Sequence, residues 1–187
     1  METDYWKLIY KYIKNGWTQT IYISHVSLVT SKALKIARGM KLSQKQIRFI
    51  EEASMLHDIG IIKVNAPEIG CDGELDYICH GTQGRKILES EGLKKHALVC
   101  ERHTGVGIPV TQIIERNLPL PKRDMLAESL EEKIISWSDL FYSKTPSIIL
   151  KEKTISEVSN TIREYGQEYI DRFREWETMF SKFDPER

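Results

Sequence analysis

The chain is poor in cysteine. Only Cys71, Cys79 and Cys100 occur among 187 residues, an odd number with no CxxC pair. A disulfide-stapled secreted scaffold is excluded on that ground, and the thiols are expected to be reduced. No apolar run approaches the roughly 18–20 residues that cross a bilayer. The opening METDYWKLIYKYIKNG has neither the basic n-region nor the apolar h-region of a secretory leader. Together these features point to a cytoplasmic protein. Excess charge of either sign is missing too: 27 Lys and Arg meet 27 Asp and Glu. That balance argues against bulk binding to nucleic acid or to an anionic membrane. Repeats, low-complexity tracts and runs of β-branched alternation are absent as well. What remains is an ordinary globular composition, 41% hydrophobic and 29% charged. The length suits one domain, residues 1–187, with a core large enough to need no covalent staple.

What is present is helical punctuation. Tyr5, Leu8, Ile9, Tyr12 and Ile13 recur at helical spacing and stop at Asn15-Gly16. A second helix is expected from about Thr18 to Arg38, with Tyr22, Val29, Ala33 and Ile36 on one stripe and Gly39 as a left-handed cap. Ser43 to Gln46 spells a capping box ahead of Ile47, Ile50, Ala53 and Leu56. Ser129 to Glu132 opens another helix, carrying Ile134, Ile135, Trp137, Leu140 and Phe141. Thr154 to Glu157 opens the last, a long C-terminal helix over about 154–183. Its residues Ile155, Val158, Ile162, Tyr165, Tyr169, Phe173, Trp176 and Phe180 step by three or four throughout. That stripe is either a helix lying across its own core or the seam of a homodimer. Two irregular stretches, 63–76 and 104–124, interrupt the helices, the second around a short helix at 110–116. Long loops in a compact domain more often serve a site than merely join helices. The expected class is all-α.

Histidine is the informative residue. His25 shares the stripe of Tyr22, Val29 and Ile36, and His57 that of Ile47, Ile50 and Ser54. Asp58 follows His57 at once, so an inward carboxylate needs a compensating partner. A divalent metal meets that need, because it neutralises the carboxylate and uses the imidazole as well. Asp139 fits the same demand, since Ile135, Trp137, Leu140 and Phe141 leave little polar face around it.

Taken together, His25, His57-Asp58 and Asp139 resemble the H, HD, D signature of the HD-domain superfamily of metal-dependent phosphohydrolases. His57-Asp58-Ile59-Gly60 matches the HDIG form of its central motif. His25 stands 32 residues before His57, and Asp139 stands 81 after Asp58. The resemblance covers about 20–145 and implies an all-α HD-domain helical bundle. It implies His25, His57, Asp58 and Asp139 as ligands of a first ion, with Asp58 able to bridge to a second. Members with two ions add histidines, for which His80 and His103 are the candidates here. His80 opens a segment similar to the HPxxGxxIL of the HD-GYP subgroup, with Gly81 in place of Pro. His103 precedes Thr104 to Pro109, similar to DGxGYP, with Ile108 in place of Tyr. Val99 and Cys100 stand where that subgroup has paired histidines. The segments ERHTGVGI and SLEEKIISWSDLFYSK look more like small stand-alone HDIG phosphohydrolases. His96 belongs to no motif and is expected on the surface.

The chemistry so implied is hydrolysis of a small phosphate ester, a nucleotide or other phosphomonoester, by water activated on one or two divalent ions. Fe, Mn, Zn, Ni and Mg all remain open. Asp58 or Asp139 would accept a proton while Arg102 neutralises charge. Lys63, Arg102 and Lys144 flank the ligands and are candidates for contact with the substrate phosphate. Two other readings stand beside this one. Some superfamily members hold two irons and oxygenate a phosphonate or polyol, and a metal-stabilised binding module would catalyse nothing.

Overall fold

In the computed structural model, which describes residues 3–14 and 16–184, the punctuation becomes helices almost where it stands. Asp4 caps α1 (Tyr5–Tyr12) by accepting from the Lys7 amide at 3.0 Å. Of the expected stop at Asn15-Gly16, Asn15 lies outside the described residues. Gly16, at φ 130°, leads into α2 (Trp17–Gly39). The end of α2 differs from the expectation. Gly39 is still helical, and the left-handed residue is Lys41 at φ 58°. The Leu42 amide bonds the Ala37 carbonyl and the Lys41 amide bonds that of Arg38, which is a Schellman closure. Gly39 serves packing instead, since a Cβ there would lie 2.9 Å from the Phe183 ring. Ser43 and Gln46 form the reciprocal capping box of α3 (Gln44–Leu56).

A tight 3₁₀ turn, Ile59–Lys63, follows α3 and leads into a minimal antiparallel hairpin, β1 (Asn65–Ala66) with β2 (Cys71–Asp72). Then come α4 (His80–Ser90), α5 (Lys94–Arg102), α6 (Val110–Glu115) and α7 (Leu130–Asp139). Ser129 caps α7 by accepting from the Glu132 amide. The class is all-α, as expected. The close approach of the 59–63 turn to α4 depends on Gly60: a Cβ there would sit 2.0 Å from the His80 carbonyl oxygen and 2.3 Å from the Gly84 nitrogen.

The long C-terminal helix is corrected. It is two helices, α8 (Ile155–Arg163) and α9 (Gln167–Phe180), broken at Gly166, whose φ is 120°. The apolar steps of three and four run straight through the break, so periodicity alone conceals it. Val158, Ile162, Tyr169, Phe173, Trp176 and Phe180 are buried with Trp137 and Phe141 in the chain's own core. The rings of Trp137 and Phe173 lie 5.2 Å apart. The stripe is therefore core, and truncating Phe173 would cost about 3–5 kcal/mol of stability.

The apolar core has two parts. One gathers α1, the start of α2, the end of α3, and α4 and α5; the other gathers the end of α2, α3, α7, α8 and α9. His25 sits on α2 between Tyr22 and Val26, within the stretch that serves the first part. Among the described residues no helix is long and apolar enough to cross a membrane.

Candidate metal centre

Helix ends deliver most of the site. His25 comes from within α2, His57 and Asp58 follow α3, and His80 opens α4. His103 follows α5, and Asp139 ends α7. The Asp58 carboxylate is their centre. Its Oδ2 lies 3.1 Å from His25 Nε2 and 3.3 Å from His57 Nε2. Its Oδ1 lies 3.5 Å from Nε2 of both His80 and His103. Asp139 Oδ1 is 3.0 Å from His25 Nε2 and 3.4 Å from His57 Nε2. Two donor sets thus share one carboxylate: His25, His57, Asp58 and Asp139 on one side, and Asp58, His80 and His103 on the other. Five of the six residues are buried, while the Asp139 side chain is 15% exposed.

The backbone sets the ring orientations. The carbonyls of Ser54, Tyr77 and Cys100 accept from Nδ1 of His57, His80 and His103 at 2.6, 2.7 and 2.8 Å. A carbonyl cannot donate, so each Nδ1 carries a proton and each Nε2 is directed inward. Nε2 of His80 and Nε2 of His103 face each other at 3.0 Å, and a shared cation would turn that close approach into ligation. Among the described residues, both ring nitrogens of His25, Nε2 of His57, Oδ1 of Asp58 and Oδ1 of Asp139 have no hydrogen-bond partner. Buried polar groups nearly always find one. Unpartnered imidazole and carboxylate donors around a bridging aspartate fit one or two divalent ions.

The electrostatics make the same demand for positive charge. Burial pulls the His57 imidazole down, but Asp58 and Asp139 outweigh it and push it up to about 10. Burial raises the two carboxyls. Lys144 and His57 at Asp58, and His25 and His57 at Asp139, nevertheless hold both well below the usual carboxylate range. Burial takes His80 the other way, down to about 3 against the pull of Asp58, so this ring stays neutral.

Of the expected substrate contacts, Lys144 reaches the centre, with Nζ 2.6 Å from Asp58 Oδ2. The structure does not bring Lys63 or Arg102 there. Lys63 ends the 59–63 turn with its side chain in solvent. Arg102 is committed to Glu128 at 3.0 Å and Glu132 at 3.2 Å, and it lines a different cavity beside Lys45 and Phe49. It precedes His103 by one residue, roughly 100° around a helix, so turning His103 inward turns Arg102 away. His96 is also corrected. It is buried, with Nε2 3.0 Å from Glu52 Oε2. Cys100 donates its thiol to the Leu56 carbonyl at 3.3 Å and joins neither donor set.

A cavity of about 460 Å³ opens on Asp139. The 104–124 stretch supplies Thr104, Ile108 and Arg116 to its wall, and Tyr77, Tyr142 and Lys153 face it from elsewhere. The sequence marked the stretch, and Tyr142 within the segment SLEEKIISWSDLFYSK, but not Arg116, Lys153 or Tyr77, which belong to no motif. The one available signal was Arg116 closing the short helix at 110–116.

An all-α bundle that brings H, HD, D and two further histidines to one buried point has the fold and the donor arrangement of an HD domain. No protein-family model matches the chain. It is 32% identical over 130 residues to the uncharacterized protein MJ0778 of Methanocaldococcus jannaschii, covering 68% of this chain and 69% of that one, and belongs to the same family. It is 30% identical over 141 residues to the tRNA (cytidine(56)-2'-O)-methyltransferase of Picrophilus torridus. That match covers 75% of this chain but 37% of the relative, so the chain spans little more than a third of it. Among solved structures it is similar to the HD domain of the L. monocytogenes phosphodiesterase PgpH, with a TM-score of 0.52 and 13% identity over 92% of this chain and 94% of that one. The same domain in complex with cyclic-di-AMP gives a TM-score of 0.51 and 14% identity over 93% and 94%. At such identities the likeness is one of fold.

Proposed function

We propose that the chain, as one HD domain over residues 1–187, is a metal-dependent phosphohydrolase acting on a small phosphate ester. The carrying observation is the set of buried imidazole and carboxylate donors that converge from both sides on Asp58, those of His25, His57 and Asp139 without a hydrogen-bond partner among the described residues. His25, His57, Asp58 and Asp139 would hold one divalent ion, and Asp58, His80 and His103 a second. Ions so bound supply a water of lowered pKa and positive charge for the phosphoryl oxygens. The chain's own groups do the rest. Asp139 is the one cluster residue that lines the cavity, so its carboxylate is placed to accept a proton from a water on the substrate side. Lys144, beside Asp58 and 5.8 Å from the centre of the Tyr77 ring, is positioned to steady a nonbridging phosphate oxygen. The Nδ1–H bonds to the backbone keep His57, His80 and His103 from turning. Buried free thiols at Cys71, Cys79 and Cys100 support a reducing, cytoplasmic setting.

The test is elemental analysis of the purified protein with a phosphatase panel on wild type and Asp58→Ala. Bound divalent metal and turnover, both lost in the variant, are expected. An Asp58→Ala protein that hydrolyses as well as wild type without metal would overturn the reading. The same donors suit iron, so oxygen uptake on phosphonate and polyol substrates is measured on the iron-loaded protein. Turnover there without phosphate-ester hydrolysis would assign the chain to the oxygenases instead.

A further inference from the structure

The cavity beside Asp139 is unlike a site that holds phosphate alone. Its walls are largely apolar and aromatic, with Tyr77, Tyr142, Tyr165 and Tyr169 among them. Two cations also line it, Lys153, which is half-buried, and Arg116, which is exposed at the rim, while Asp139 is the only acidic residue among the described residues of the lining. Arg116 lies over the Tyr165 ring at 5.7 Å, and neither cation has an acidic partner among the described residues. Lys153 stands out for this, because elsewhere among the described residues partly buried cations are paired: Arg85 with Glu89 and Glu101, Arg102 with Glu128 and Glu132, Lys32 with Glu152 and Asp184. Arg116 closes α6, and Lys153 lies just before α8. The two come from distant parts of the chain to one wall, at a remove from Lys144, which is already engaged with Asp58.

Resting on the phosphohydrolase reading above, we infer that the substrate has a flat ring and a second anionic group, and that Arg116 and Lys153 bind that second group while the tyrosines flank the ring. Tyrosine faces stack on rings with little demand for a particular one. A guanidinium and an ammonium that lack partners suit a phosphate or carboxylate. The assignment makes Arg116 and Lys153 specificity-determining residues, separate from the groups that hold the reacting phosphate.

The probes are adenosine 5′-monophosphate and adenosine 3′,5′-bisphosphate, which share a ring and differ by one phosphate. Their dissociation constants are measured by calorimetry on metal-free protein, where neither is turned over. The bisphosphate is expected to bind at least tenfold more tightly. The ratio should collapse toward one in Arg116→Gln/Lys153→Gln and return in Arg116→Lys/Lys153→Arg. Each single variant is measured too, and a partial fall in both supports the assignment even where the double variant is unstable. Equal affinity in wild type, no binding of either probe, or a ratio that survives in the variants overturns it. A tenfold ratio in a protein that hydrolyses nothing keeps the anion site and removes the phosphohydrolase reading.

Discussion

His96 with Glu52, and His57 with Asp58, are both imidazole–carboxylate groupings buried in the same bundle, yet they have opposite chemical fates. Glu52 spends one oxygen on His96 and the other on the Thr3 amide at 3.0 Å, and the Phe49 ring covers the histidine at 5.0 Å. Its hydrogen bonding is complete, and the pair ties α3 to α5. At His57 and Asp58 the inward Nε2 and Oδ1 have no hydrogen-bond partner among the described residues, and further donors crowd the same point. Neither burial nor residue type separates the two. Unsatisfied lone pairs do, because leaving them so would cost about 1–3 kcal/mol each.

The sharpest way to break this comparison is at Asp139. Asp139→Asn should lower hydrolysis by about 10³-fold, roughly 4 kcal/mol of transition-state stabilisation, and Glu52→Gln should leave it within about twofold; initial rates on a substrate found in the panel check both. His103→Ala should drop the metal content from two ions to one, with activity down about 10–100-fold. Metal analysis of the dialysed variant reads this directly, and an unchanged content of two ions would dissolve the division into two donor sets. Glu52→Ala strands the buried His96 and should cost about 1–3 kcal/mol in urea unfolding with the metal content unaltered.

The smallest effect concerns pH. Burial holds His96 below the ordinary histidine value, against the pull of Glu52. The folded state therefore resists its protonation. Its contribution is complete above the unfolded pKa of about 6.5 and is lost as pH falls through the lower folded value. Between pH 8 and pH 5, wild type should lose more stability than His96→Gln does. Equal slopes for the two proteins would show that His96 titrates as freely as it does in the unfolded chain.

Much of the centre was legible in the sequence because its donor residues obey helical geometry. His25 and His57 fall on apolar stripes, and Asp139 has no polar face to occupy. Arg102 was misplaced because adjacency along a helix is not adjacency in space. His96 looked exposed because its burial depends on Glu52, a partner 44 positions away. The break at Gly166 was hidden because the chain resumes its apolar register after the turn, so one face serves two helices. Arg116, Lys153 and the tyrosines meet only through tertiary packing, which no spacing rule encodes.

Gly60 carries a further consequence. The missing methyl group there lets the backbone after Asp58 rest against the first turn of α4, where a Cβ would collide with the His80 carbonyl at 2.0 Å. That contact sets the interval between the two halves of the centre, since Asp58 belongs to both and His80 to one. The smallest added side chain would pry them apart like a shim under a hinge. In this chain the spacing of the two donor sets is gauged by an atom that is not there.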